Sequence, residues 1–165
     1  MKISVIVCTY NGEKFIETTI RSILNQQYTN IEIIIIDDYS NDNTKKILIN
    51  NYQNINNINL YFNNKNFGLG YSRNLGVSMA KGDWITFLDQ DDLYESDRLI
   101  KLIKLKNENK NILFFFHDTN YIDENNNIIS SHIKNYSIPY PKILKKKSTT
   151  LLLKYGSYID SESIF

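Results

Sequence analysis

Three β-branched apolar runs, each stopping at a polar cluster, constrain this chain more than any other feature. Ile3 to Val7 leads into Thr9-Tyr10-Asn11, Ile31 to Ile36 into Asp37-Asp38, and Trp84 to Leu88 into Asp89-Gln90-Asp91-Asp92. Near-continuous apolar character marks strands buried on both faces, as in parallel sheets. Helical patterns separate them. Ile16, Ile20, Ile23 and Leu24 form a stripe within Glu13–Gln27. Ser40 or Asn41 can cap a second helix through about Asn50, with Ile47 and Leu48 inward. Tyr71–Ala80 reads as a third, and Asp97–Leu105 as a fourth, with Leu99, Leu102, Ile103 and Leu105 apolar. Ile58–Phe62 and Ile112–Phe116 read as further strands, and Lys81-Gly82-Asp83 as a turn. Strand alternating with helix predicts an α/β fold: an open, mostly parallel sheet flanked by helices on both faces.

Beyond His117 the pattern weakens. Asp123–Asn127 reads as a hairpin or turn before Ile128-Ile129, Pro139 and Pro141 as a loop, Ser148–Lys154 as a short helix, and Ile164-Phe165 as strand. No repeat and no linker divides the 165 residues, so one domain over 1–165 is expected. A net charge of +1, with charges spread through the chain, gives no electrostatic case for nucleic acid. Lys145-Lys146-Lys147 reads as a solvated face. No stretch approaches the ~18 apolar residues of a membrane span. Met1-Lys2 leads directly into the first strand, so no secretory leader is expected. One cysteine, Cys8, excludes an internal disulfide and suits a reducing cytoplasm. His117 and His132 are isolated, and no His/Cys cluster suggests zinc. Trp84 and Phe114-Phe115-Phe116 read as core.

Ligands of open α/β sheets bind outside the carboxyl ends of the strands. Parallel strands place all three polar clusters on that edge. Asp37-Asp38 could serve only as a helix cap, and Tyr10 only as edge packing. Asp89, Asp91 and Asp92 are more carboxylates than capping requires, and like charges so close call for a cation. An Asp-x-Asp pair suits Mg²⁺ or Mn²⁺, which completes its shell with water and substrate phosphates. Tyr10 offers a face for a base, and Asp38 an acceptor for a base N–H or ribose hydroxyl. The chemistry expected is metal-assisted departure of a nucleoside diphosphate.

The motifs, in order, are Ser4–Phe15, Ser22–Tyr28, Glu32–Thr44, Asn66–Gly76, Ala80–Asp83 and Phe87–Asp92. In order and spacing they resemble the N-terminal part of family 2 glycosyltransferases of the GT-A fold, most strongly over residues 3–105. The Tyr-Asn-Gly-Glu and Asp-Gln-Asp-Asp variants resemble bacterial members that build surface polysaccharides, including rhamnosyltransferase-like ones. The resemblance implies that Cys8, Thr9 and Tyr10 line the nucleobase pocket, and that Asn11, Glu13 and Gln90 belong to the nucleotide-sugar site. It implies that Asp38 binds base or ribose with support from Asp37. Asp89 would reach the ribose or metal, and Asp91 would hold the metal on the diphosphate. Arg73 would contact nucleotide or brace the aspartates.

It also implies an inverting transfer from a UDP or dTDP sugar to a glycan or other hydroxyl acceptor. The site would be cytoplasmic, with peripheral membrane association of the full enzyme at the inner face. The family's general base follows a further strand. Asp160 and Glu162 do not match its motif, so the base and most of the acceptor part are expected beyond Phe165. The alternative is a nucleotide-sugar-binding domain, incomplete for catalysis or dependent on a partner. Two other readings fit less well. Leu88–Leu93 is similar to the nucleophile motif of haloacid-dehalogenase phosphohydrolases, but has Leu93 in place of Thr or Val and sits mid-chain. Gly68-Leu69-Gly70 lacks the third glycine of a dinucleotide fingerprint and does not follow the first strand.

Overall fold

The structure, a computed structural model, describes residues 1–109, 111, 115, 119–123 and 127–131. It comprises two compact units, described separately: Met1–Leu113 with Phe165, and Phe114–Ile164. In the first, β1 (Ile3–Thr9), β2 (Ile31–Asp37), β3 (Ile58–Phe62) and β4 (Trp84–Asp89) form a parallel sheet ordered β3-β2-β1-β4. All seven residues of β1 and all seven of β2 are buried, as central strands covered on both faces require.

Side chains alternate between the faces. Ile6, Cys8, Ile34 and Ile36 form one buried cluster with Ile85 and Phe87 beside them. Leu75 and Met79 of α3 (Leu69–Met79) pack on it. Gly76 makes the approach possible, because a Cβ there would lie 2.5 Å from Ile6 Cγ2. The opposite face carries Ile3, Val5, Val7, Ile33 and Ile35, all fully buried. Here α1 (Ile16–Leu24) and α4 (Arg98–Glu108) are joined through Gln26. Its amide donates to Glu95 O at 2.7 Å and accepts from Leu99 N at 3.0 Å.

At the amino edge of the sheet Glu32 is a buried carboxylate. It accepts from Lys2 Nζ at 2.6 Å, Ser4 Oγ at 2.5 Å and Lys81 N at 2.6 Å. Burial raises its pKa, but these three donors outweigh burial and hold it below the usual range. The cluster ties β1, β2 and the turn before β4 together, away from the polar clusters.

The strands fall where the apolar runs predict; the helices start elsewhere. The first begins at Ile16, not Glu13, because Glu13 is engaged with Asp42 and Asn43. The second, α2, is Thr44–Tyr52 rather than a helix from Ser40 or Asn41. Ser40 Oγ donates to Asp37 instead of capping, and Ile47 is half-buried beside buried Leu48. Trp84, expected in the core, is half-buried with Lys106 Nζ 5.1 Å from the ring centre.

In the second unit β5 (Asn120–Ile122) pairs antiparallel with β6 (Ile128–Ser131), the hairpin expected around Asp123–Asn127. Asp123 accepts from Asn127 N at 2.8 Å. Of the expected strand Ile112–Phe116 only Phe115 is described, and it is buried. His117, His132, Lys145–Lys147, the loop at Pro139 and Pro141, the helix at Ser148–Lys154 and the strand at Ile164-Phe165 lie outside the described residues.

Candidate functional site

The β1–β2–β4 register sets Thr9 beside Asp37 and Cys8 beside Asp89. All three polar clusters therefore meet at the carboxyl edge. An open cleft of about 290 Å³ lies there, lined by Cys8, Thr9, Tyr10, Asp38, Asp89, Gln90 and Asp91, with Asn66, Gly68, Leu69 and Ser72 from the segment leading into α3. Seven of the residues expected in a site thus share one cavity.

The aspartates differ sharply. Asp37 is buried at the end of β2 and held by Ser40 Oγ. Burial raises its pKa, with Ser40 opposing. Asp38 is also buried, but accepts from Asn63 Nδ2 at 2.6 Å, Phe67 N at 3.0 Å and Gly68 N at 2.7 Å. Burial alone would raise its pKa; these bonds prevail and hold it below the usual range. Asp38 thereby fixes the loop that brings Asn66, Gly68 and Leu69 to the cleft. Gly68 has φ of 87°, a left-handed conformation that favours glycine, and a Cβ there would meet nothing within 4 Å.

Asp89 is paired with Arg73 of α3, Nη2 to Oδ1 at 2.6 Å. The cation that the carboxylates call for is therefore in part the protein's own. Arg73 braces Asp89, and is not among the residues lining the cleft. Asp91 is exposed, and its carboxylate makes no hydrogen bond or ion pair among the described residues. Cys8 lies beneath them, and burial pushes its thiol up to about 12, Arg73 opposing and the Asp89 and Asp38 carboxylates adding. Tyr10 is 41 % exposed at the cleft.

Asn11 and Glu13 join loops rather than line the cleft. Asn11 N donates to Ser40 Oγ at 2.9 Å, and Asn11 Oδ1 accepts from Asn41 N at 2.8 Å. Glu13 Oε2 accepts from both Asn43 N and Asn43 Nδ2 at 2.9 Å. Gly12 N donates to Thr44 Oγ1 at 2.8 Å. Asn66, Gly68, Leu69 and Ser72 had no assigned role from sequence. Their signal was the glycine-bearing stretch Asn66–Gly70 just before a helix, the composition of a ligand-facing loop.

The fold and cleft define an α/β protein with an open cleft over the carboxyl edge of a parallel sheet. The chain belongs to glycosyl transferase family 2, whose profile matches residues 4–159. It is 40 % identical over 107 residues to an uncharacterized glycosyltransferase of Haemophilus influenzae, covering 65 % of this chain and 43 % of that protein. It is 34 % identical over 143 residues to the Escherichia coli UDP-Glc:alpha-D-GlcNAc-diphosphoundecaprenol beta-1,3-glucosyltransferase WfgD, covering 87 % of this chain and 55 % of that one. The chain thus spans about half the length of these relatives. Among solved structures, Staphylococcus aureus TarS 1-349, also solved with UDP-GlcNAc, superposes with a TM-score of 0.62 at 33 % identity, covering 67 % of this chain and about a third of that one. The sheet and its helices have the GT-A fold of that neighbour.

Proposed function

We propose that this chain binds the donor in a glycosyl transfer: a nucleoside-diphosphate sugar, of UDP or dTDP type, whose sugar passes to a hydroxyl of a glycan acceptor. The observation that carries the reading is the contrast at the end of β4. Asp89 is paired with Arg73, while Asp91, two residues on, stands exposed in the same cleft without a partner among the described residues. The printed activity of WfgD and the UDP-GlcNAc complex of TarS favour the same donor class.

The donor set fits Mg²⁺ or Mn²⁺. Among the described residues no group of three or more His, Cys, Asp or Glu is arranged to hold a metal. One open carboxylate at the cleft suits an ion that keeps its waters and takes substrate phosphates, rather than one needing an all-protein cage. Asp91 would hold it, with Asp89 beside it; bound there, the ion would offset the charge that develops on the departing diphosphate.

The chain's own residues do the rest. Tyr10 presents a ring face to the base, Cys8 and Thr9 floor the pocket, and Asp38 with its loop closes it. Arg73 holds Asp89 in one position, and Asp37 and Ser40 fix the end of β2. We read the transfer as inverting: the acceptor hydroxyl attacks the anomeric carbon opposite the diphosphate, and its proton passes to a carboxylate base. No helix among the described residues is long and apolar enough to cross a membrane. The diphosphoundecaprenol acceptor in the name of WfgD favours a lipid-linked glycan here, met peripherally at the cytoplasmic face.

The test is calorimetric titration of UDP, dTDP and GDP, each with Mn²⁺ and with EDTA. Metal-strengthened binding of one nucleotide is expected. No binding of any overturns the reading.

A further inference from the structure

We propose that Gln90 is a positioning residue: its side chain acts as one rung of a strand that holds Tyr10 in place for the nucleobase, and is not a contact to the donor. The inference rests on the reading of the cleft as a donor site. Pairing between β1 and β4 ends at Cys8 and Asp89. Two residues further, the main chain of Tyr10 has no β4 partner in the ladder. The Gln90 side chain supplies one. Its Oε1 accepts from Tyr10 N at 3.0 Å and its Nε2 donates to Tyr10 O at 3.3 Å. A primary amide presents the same C=O and N–H pair as a peptide group. Oε1 also accepts from buried Thr9 Oγ1 at 2.6 Å, which fills both of its lone pairs. Tyr10 N can only donate, so the amide has one orientation here.

The residue is fixed from behind as well. Its main-chain oxygen accepts from Thr19 Oγ1 of α1 at 2.6 Å. Gly12 leaves the space that the side chain occupies: a Cβ there would lie 2.5 Å from Thr9 Oγ1 and overlap Gln90 Oε1. Asparagine is a methylene too short for this span, and glutamate lacks the N–H. Gln90 stands between Asp89 and Asp91, so the segment that presents Asp91 is the one that holds Tyr10. Base pocket and diphosphate site are thereby set at a fixed separation.

Two measurements on Gln90→Met test this, with Gln90→Ala, which also removes the acceptor, as the second variant should Met unfold the chain. The first is amide hydrogen exchange at Tyr10. Exchange is slow in the wild type and at least about tenfold faster in the variants, as for an amide whose partner is removed. The second is calorimetry with Mn²⁺, comparing UDP with inorganic pyrophosphate, which has no base. UDP affinity falls about tenfold, the loss expected from a misplaced base–aromatic stack, while pyrophosphate changes less than about twofold. In a Tyr10→Ala background the Gln90 substitution costs UDP nothing further.

Equal losses for the two ligands, or full additivity with Tyr10→Ala, overturn the proposal in favour of general support or direct contact. Unchanged Tyr10 exchange overturns it whatever the binding shows. A wild-type protein that binds neither ligand overturns the donor-site reading and the base-positioning role with it, and exchange alone then tells whether Gln90 pins Tyr10.

Discussion

Gly12→Ala probes the same junction through stability. The added methyl would lie 2.5 Å from Thr9 Oγ1, with Gln90 Oε1 nearer still. Thr9 is 2 % exposed and cannot withdraw, so Gln90 must. That breaks its bonds to Thr9 Oγ1, Tyr10 N and Tyr10 O, the last already long at 3.3 Å. Such bonds contribute about 0.5–1.5 kcal/mol each, and overpacking costs about 1–3 kcal/mol. The alanine recovers about 0.4–1 kcal/mol by restricting the unfolded chain. A net loss of about 4 kcal/mol follows, or roughly 16 °C in Tm for a unit of this size. Thermal unfolding followed by circular dichroism reads it. Combined with Gln90→Ala, the cost should be less than additive, because the atom in the way is gone. A Tm within about 2 °C of wild type, or strict additivity, would refute the steric argument.

Other consequences follow from the same geometry. Asp38→Asn sets its N–H₂ against the Gly68 N donor or, flipped, against those of Asn63 and Phe67, frees the 63–68 loop, and should weaken nucleotide binding about tenfold or more even in EDTA; unchanged affinity without metal would contradict this. Glu32 and Asp38 both titrate below their ordinary range in the fold, so the stability they contribute is complete above ordinary carboxylate pKa values and is lost as pH falls through their depressed ones. Glu32→Gln should therefore lower Tm at pH 7 and flatten its decline below about pH 4.5, as differential scanning calorimetry would show. Cys8, with its thiol near 12, should resist iodoacetamide at pH 8 in the folded protein and react on unfolding in urea; rapid alkylation of the native chain would show that the cleft floor is open.

The strands were legible because their apolar runs are nearly continuous and end abruptly in charge, which states burial and polarity at once. The helix starts were not, because Glu13, Asn41 and Asn43 are fixed by bonds across some thirty positions of sequence. Asp37 and Asp38 are adjacent and chemically identical in sequence. Strand alternation sends one carboxylate to Ser40 and the other to the 63–68 loop, and no local pattern shows which gains three donors. The brace from Arg73 was partly visible: it lies three residues before Gly76, hence on the sheet-facing side of α3. Gln90 and Glu13 are placed in the site by the resemblance alone; in the fold Gln90 bonds to Thr9 and Tyr10, and Glu13 to Asn43.

The central claim rests on Asp91, and the most direct measurement compares wild type with Asp91→Asn. Each is titrated with the nucleoside diphosphate that wild type prefers, with Mn²⁺ and with EDTA. Wild type should bind more tightly with Mn²⁺, and Asp91→Asn should bind equally with and without it, at the EDTA affinity and with unchanged Tm. An Asp91→Asn protein that keeps the full effect of Mn²⁺ would contradict the account.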